Sequence, residues 1–228
     1  MNWTEYINVL LFVYLPYLAV GFFVCGLAYR VVVNNSSVQA LSTQFLSNDR
    51  ILKIGSNLFH YSIILVFLGH IFGMLTPEWA YDWLISNEQK RDIAVVMGGI
   101  TGCGALIGIT MLAARRFCNR RVLTNSSFAD MFIVLLVWVQ IVLGLMGTCI
   151  TIKSPLQDYM NIDYWLQNLC TFVPDPQQYL SATSIIHELH IINGFFIILI
   201  FPFTKLMHMV AIPLRYLFKA IIPHKDVA

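Results

Sequence analysis

Five long apolar stretches, at about 6–29, 54–75, 93–115, 128–150 and 186–212, leave this chain few ways to fold. Each is long enough to cross a ~30 Å hydrocarbon core as a helix rising about 1.5 Å per residue. No water reaches that core, so a spanning segment must satisfy its own backbone N–H and C=O groups, which a helix does. The expected fold is all-α, an integral membrane bundle of five transmembrane helices forming one domain over 1–228. Composition agrees, with 58% hydrophobic and only 11% charged residues in 228. The first stretch, from about Ile7 to Ala28, is too long for a signal-peptide core, and only Glu5 carries charge ahead of it. It is therefore expected to be a retained span.

An odd number of spans puts the two termini on opposite sides of the membrane. Lysine and arginine concentrate in cytoplasmic loops, so their distribution orients the chain. With the N-terminus outside, the inner set is Arg30, Arg50, Lys53, Arg115, Arg116, Arg120, Arg121, Lys205, Arg215, Lys219 and Lys225, eleven of fourteen. The outer set is Lys90, Arg91 and Lys153. The predicted orientation is N-out and C-in, which makes the second span run outward and the fifth run inward.

Four histidines lie within those two antiparallel spans: His60 and His70 in the second, His190 and His208 in the fifth. An ionisable side chain in hydrocarbon needs a partner or a cavity, and marks a functional site by default. His60 and His70 are ten residues apart, roughly 15 Å along a helix. His190 and His208 are eighteen apart, roughly 27 Å and five whole turns, on one stripe. Antiparallel packing then brings His70 to His190 near the outer face and His60 to His208 near the inner face. The mean spacing separates the two pairs by roughly 21 Å along the membrane normal, a fit for two stacked bis-histidine haems. The competing reading is four polar side chains bonding across helices. His187 stands one turn outward of His190 and is a second candidate for the outer pair. His190 is preferred because it shares the stripe of His208 and has Gly194 one turn along.

The other features are less specific. Cys25, Cys103, Cys118, Cys149 and Cys170 show no CxxC or CxxCH spacing, which argues against c-type haem attachment, thiolate iron–sulfur clusters and structural zinc. Cys149 and Cys170 share the outer side and either pair or are unrelated. Gly69 and Gly73 flank His70 and admit a flat macrocycle or a neighbouring helix, whereas Gly104 and Gly108 form a GxxxG pair that signals close helix contact. Gln140 is the main interior polar residue of the fourth span. Tyr159–Phe172 is an amphipathic stretch expected on the membrane surface, Thr76 to Trp83 gives a helix stop and an aromatic belt, and Pro202 is expected to kink the fifth span. His224 is expected to be solvated. The basic loop Arg115 to Arg121 is a topology anchor that could also dock a soluble partner.

Several segments together resemble a known family: Ser56-Asn-Leu-Phe-His60, Gly69-His-Ile-Phe-Gly-Met-Leu-Thr-Pro77, Met97-Gly-Gly-Ile-Thr-Gly102, His190-Ile-Ile-Asn-Gly194, Phe201-Pro-Phe203 and Ile212-Pro-Leu-Arg-Tyr-Leu217. The pattern is similar to the cytochrome b (gamma) subunit of membrane-bound respiratory nitrate reductases, over nearly the whole chain. That resemblance implies two b haems, the outer held by His70 and His190 and the inner by His60 and His208. It also implies quinol oxidation near the periplasmic side, with quinol-site residues at Gly69, His70 and Lys90. The loop carrying Lys90 departs from the family pattern, so Arg91 competes for that role, and a solvated surface charge is the alternative. Implied partners are an iron–sulfur (beta) subunit and a molybdenum (alpha) subunit in the cytoplasmic membrane of a bacterium or archaeon, with no nucleic acid. The rivals are a related haem b subunit of a sulfite-reductase-associated or heterodisulfide-reductase-like complex, and a haem-free anchor or transporter.

Overall fold

A computed structural model of the chain describes residues 3–32, 50–124, 126–204 and 206. Five helices in it are long and apolar enough to cross a membrane: α1 (Trp3–Arg30), α2 (Arg50–Met74), α3 (Asn87–Cys118), α4 (Phe128–Thr151) and the segment Ile185–Phe203. Between the last two lies α5 (Leu156–Cys170), and the final span opens with α6 (Ile185–Ile200). No strand occurs among the described residues. The expected all-α, five-span architecture is therefore present.

The spans pack in the order α2, α3, α4, α6, α1, each on the next. Close contact between α2 and α3 depends on small residues, because a Cβ at Gly108 would run into the Phe59 backbone. Gly104 lies against the Ser62 side chain in the same way. The GxxxG pair is thus a helix contact, as its spacing suggests. Phe59, Ala105, Ile109 and Ile141 form the core shared by α2, α3 and α4.

Two helix starts follow from local chemistry. Ser86 and Gln89 form a reciprocal capping box at the start of α3, and Ser127 and Asp130 do the same for α4. The first box starts α3 about two turns earlier than hydropathy alone predicts, so Lys90 lies on a helix and not in a loop. Near the other end of the bundle, the regular helix α6 stops at Ile200 and Phe201–Phe203 form a 3-10 turn around Pro202. Pro202 packs directly onto Gly26 of α1. The expected kink is thus a change of helix type, consistent with a proline that donates no N–H.

Pro16 has a longer reach. It offers no N–H to the Phe12 carbonyl four residues back, and a π-helical turn, Leu10–Tyr14, precedes it. The indole Nε1 of Trp165, on α5, donates to that carbonyl at 3.1 Å. Trp165 is fully buried against Phe12, Leu169 and Leu180. Gln167 donates to the carbonyls of Met74 at 2.8 Å and Thr76 at 3.3 Å, at the end of α2. Tyr17 donates its phenol to the Leu169 carbonyl at 2.8 Å. The amphipathic helix expected on the membrane surface therefore caps the end of the bundle, because backbone carbonyls there need donors.

Two open readings are decided. All five cysteines are free, so Cys149 and Cys170 are unrelated residues, the preferred reading of the two. Arg115 is buried and cannot contribute to an exposed docking face, which among the described residues leaves exposed Arg120 and Arg121 on that connection. Trp165→Phe keeps the ring packing and removes the indole donor to the Phe12 carbonyl. Thermal unfolding in detergent should show a loss of about 1–3 kcal/mol, the cost of a buried carbonyl left short of a partner.

Candidate functional site

α2 and α6 share no extensive packed face, yet the rings of His70 and His190 approach to 6.1 Å between centroids, with planes 30° apart. The two side chains expected to pair at the outer site thus lie close together. His60 lies ten residues along α2, beside Phe59, whose ring is 5.3 Å from its own. Its expected partner, His208, lies outside the described residues, as do Lys205, Arg215, Lys219, His224 and Lys225.

Hydrogen bonds select the tautomer of each ring. His60 Nδ1 faces the Ser56 carbonyl at 2.7 Å, and His70 Nδ1 faces the Val66 carbonyl at 2.8 Å. His190 Nδ1 faces the Gln140 carbonyl at 3.1 Å. A carbonyl can only accept, so Nδ1 carries the proton in all three rings and Nε2 is left as the electron-pair donor. This arrangement is the usual one for a histidine that ligates a metal, since it fixes both ring orientation and basicity.

His187 differs. Its Nδ1 is 2.8 Å from the Ser184 hydroxyl, and its Nε2 is 3.2 Å from the Thr151 hydroxyl. Both nitrogens are engaged by hydroxyl groups, and Ser184 is thereby diverted from capping α6. Of the two candidates for the outer pair, only His190 both faces His70 and anchors Nδ1 on a carbonyl.

Helix α4 shapes the seat of His190. A Cβ at Gly144 would lie 2.9 Å from His190 Cε1, so only glycine gives the ring its place there. Gln140 donates from its side-chain amide to the His190 carbonyl at 3.1 Å, and the same nitrogen is 3.3 Å from His190 Nε2. Asn193 donates to Gln140 Oε1 at 2.8 Å and to the Leu136 carbonyl at 3.2 Å. Gln140 and Asn193 therefore hold His190, a role that sequence reasoning missed. The available signal was an amide in each of two otherwise apolar spans.

These features test whether the residues suit a haem. Two imidazoles on one iron, with bonds of about 2 Å and about 1 Å more from nitrogen to ring centre on each side, have centres roughly 6 Å apart. The His70 and His190 rings match that spacing, with the proton on Nδ1 of each, and an iron would take the place of the Gln140 amide that lies 3.3 Å from His190 Nε2. Gly69 and Gly73 lie on the same helix, and among the described residues no atom outside their own helix backbone and immediate neighbours comes within 4 Å of a Cβ built at either position. Among the described residues they are not helix contacts. The residues present fit a bis-histidine haem between His70 and His190.

Lys90 lies apart from this pair in its bonding and is not a solvated surface charge. It is buried, and its Nζ donates to Asp163 Oδ2 on α5 at 2.8 Å. The ammonium stands 4.4 Å from the centre of the Tyr81 ring and 6.0 Å from that of Tyr159. Arg91 instead bonds its neighbour Asp92 at 3.0 Å. Burial pushes the Asp163 carboxyl up to about 6, against the opposing pull of the Lys90 hydrogen bond and charge. Asp163 was legible only as one acid of an amphipathic stretch, although its place three residues from buried Met160 was a signal.

A family model described as nitrate reductase gamma subunit matches residues 8–226. The chain is 35% identical over 213 residues to the respiratory nitrate reductase 2 gamma chain of Escherichia coli K12, covering 93% of this chain and 94% of that one. It is 34% identical over 218 residues to the respiratory nitrate reductase 1 gamma chain of the same organism, with 93% and 95% covered. The nitrate reductase gamma chain of Bacillus subtilis is 29% identical over 213 residues, with 92% and 95% covered. Matched along nearly its whole length by the family model and by these relatives, the chain belongs to the nitrate reductase gamma subunit family.

Proposed function

We propose that this chain is the quinol-oxidising cytochrome b subunit of a respiratory nitrate reductase. It holds an outer b haem with His70 and His190 and an inner b haem with His60 and His208. The observation that carries the reading is the His70–His190 pair, 6.1 Å between ring centres. Each of the two rings has its Nδ1 turned to a carbonyl. Bound haem supplies one-electron carriage, tuned by axial ligation, hydrogen bonding beyond the ligands and burial.

The chain's own residues provide the rest. Val66 and Gln140 fix the outer imidazoles through their carbonyls, and Gly144 makes room for the His190 ring. Gly69, His70 and Lys90 contact quinol at the outer side, where its protons are released. The N-terminus is outside and the C-terminus inside, in keeping with eleven of fourteen lysines and arginines falling on inner segments. Electrons leave at the inner side to an iron–sulfur beta subunit and then a molybdenum alpha subunit that reduces nitrate. Moving each electron inward against a negative interior costs about 2.3 kcal/mol per 100 mV, which the redox drop between quinol and nitrate must exceed.

Haem content per chain tests the ligands. His70→Ala should remove one haem and leave the other, because the two sites use separate ligand pairs. His187→Ala should retain both, and a loss of haem there equal to that in His190→Ala would reject His190 as the ligand. His208→Ala tests the exit. Rapid mixing with quinol should still give optical reduction at the outer site, while nitrate turnover collapses. Surviving turnover in that variant would mean that electrons leave by another route.

A further inference from the structure

Lys90 and Asp163 join a membrane span to the outer helix α5 through an ion pair hidden from solvent, with side-chain exposures of 8% and 1%. A lysine that only marks topology, near the end of a span, extends its stem and keeps its ammonium in water. This one is turned inward and held on several sides, by Asp163 and Tyr159 of α5 and by Tyr81 of the α2–α3 connection. Burying such a pair gains little stability over apolar side chains of the same size, because both charges must be desolvated. Its distinctive consequence is geometric: the charge is fixed at one point.

The connection that carries Tyr81 is itself pinned. Asn87 donates to Glu78 Oε1 at 2.6 Å, Tyr164 of α5 donates to Glu78 Oε2 at 3.0 Å, and Tyr81 donates to Asn87 at 2.8 Å. The cage around the ammonium is therefore built from three segments tied to one another.

We propose that Asp163 is the positioning residue of the quinol site, holding the Lys90 ammonium where it meets a quinol oxygen. The inference rests on the reading of Lys90 as a quinol contact given above. Asp163 itself touches Lys90 and not the quinol.

Acidification provides a signature. The charged and titratable groups around the Lys90–Asp163 pair are Glu78 and Tyr81 from the α2–α3 connection, with Glu78 facing Lys90, and Tyr159 and Tyr164 from α5. Burial pushes all three phenols up, and the Asn87 hydrogen bond holds Glu78 below its ordinary range. Asp163, raised to about 6 by burial, is the member of this set that titrates in mildly acidic solution. Its carboxylate is present above that value and lost as pH falls through it, so the ion pair is lost in the same direction.

The test uses the whole complex in membranes, with a water-soluble quinol analogue, from about pH 5 to about pH 8. Lys90→Ala comes first. Unchanged quinol kinetics with a complete haem spectrum overturn the quinol role of Lys90, and with it this inference. If Lys90→Ala is inactive, Asp163→Asn should raise the quinol KM roughly tenfold or more, the loss expected for a hydrogen bond between charged groups. Its haem spectrum should not change. The wild-type KM should rise as pH falls through about 6, a rise absent from Asp163→Asn, and Asp163→Glu should restore part of the affinity. The inference is overturned by a wild-type KM that is flat through that range, by a wild-type KM in Asp163→Asn, or by a loss of haem in Asp163→Asn that accounts for its lost activity.

Discussion

Hydrocarbon offers a polar group no hydrogen bond, and the arrangement of this bundle follows from how each one is satisfied. The three described histidines of the proposed haem sites all spend Nδ1 on a carbonyl, two within their own helix and one across to α4. That choice removes the freedom to flip the ring and leaves Nε2 as a directed electron-pair donor. His187 meets the same demand with a hydroxyl at each nitrogen, whereas His190 has the Gln140 carbonyl at Nδ1, the Gln140 amide near Nε2 and the His70 ring opposite. Two histidines one turn apart thus have different chemistry because their neighbours differ.

The same demand explains the cap that α5 forms on one end of the bundle. Pro16 leaves the Phe12 carbonyl without the donor that any other residue would bring, and Trp165 supplies it. The end of α2 presents the Met74 and Thr76 carbonyls, and Gln167 supplies them both. α5 is therefore held by polar bonds to helix ends and by Phe12, Leu169 and Leu180 around its indole. Once seated, it carries Asp163 to Lys90. A proline in the first span and an ion pair in the third are linked through one short helix that hydropathy assigns to the surface.

Packing sets what can approach what. Gly108 admits the backbone at Phe59, next to His60, and Gly144 admits the ring of His190. Here the missing Cβ has a specific beneficiary, and in both cases that beneficiary is a proposed haem ligand or its neighbour. Gly69 and Gly73 belong to a different class, since among the described residues they touch no other helix.

The sequence by itself determined the number of spans and their helical form, and it singled out the two histidines, His70 and His190, whose rings lie 6.1 Å apart. Length, apolar continuity and helical rise are local quantities that need no packing to be read. The GxxxG contact was legible for the same reason, because four residues return to one helix face. What only the tertiary structure decided was which polar group meets which. The start of α3 at Asn87 depends on a reciprocal cap between Ser86 and Gln89 that hydropathy does not weigh. The burial of Lys90 depends on Asp163, seventy-three residues away. Choosing His190 over His187 required knowing that Thr151 and Ser184 engage one ring and the Gln140 carbonyl the other. Such bonds join residues whose separation along the chain carries no period, so no local pattern encodes them.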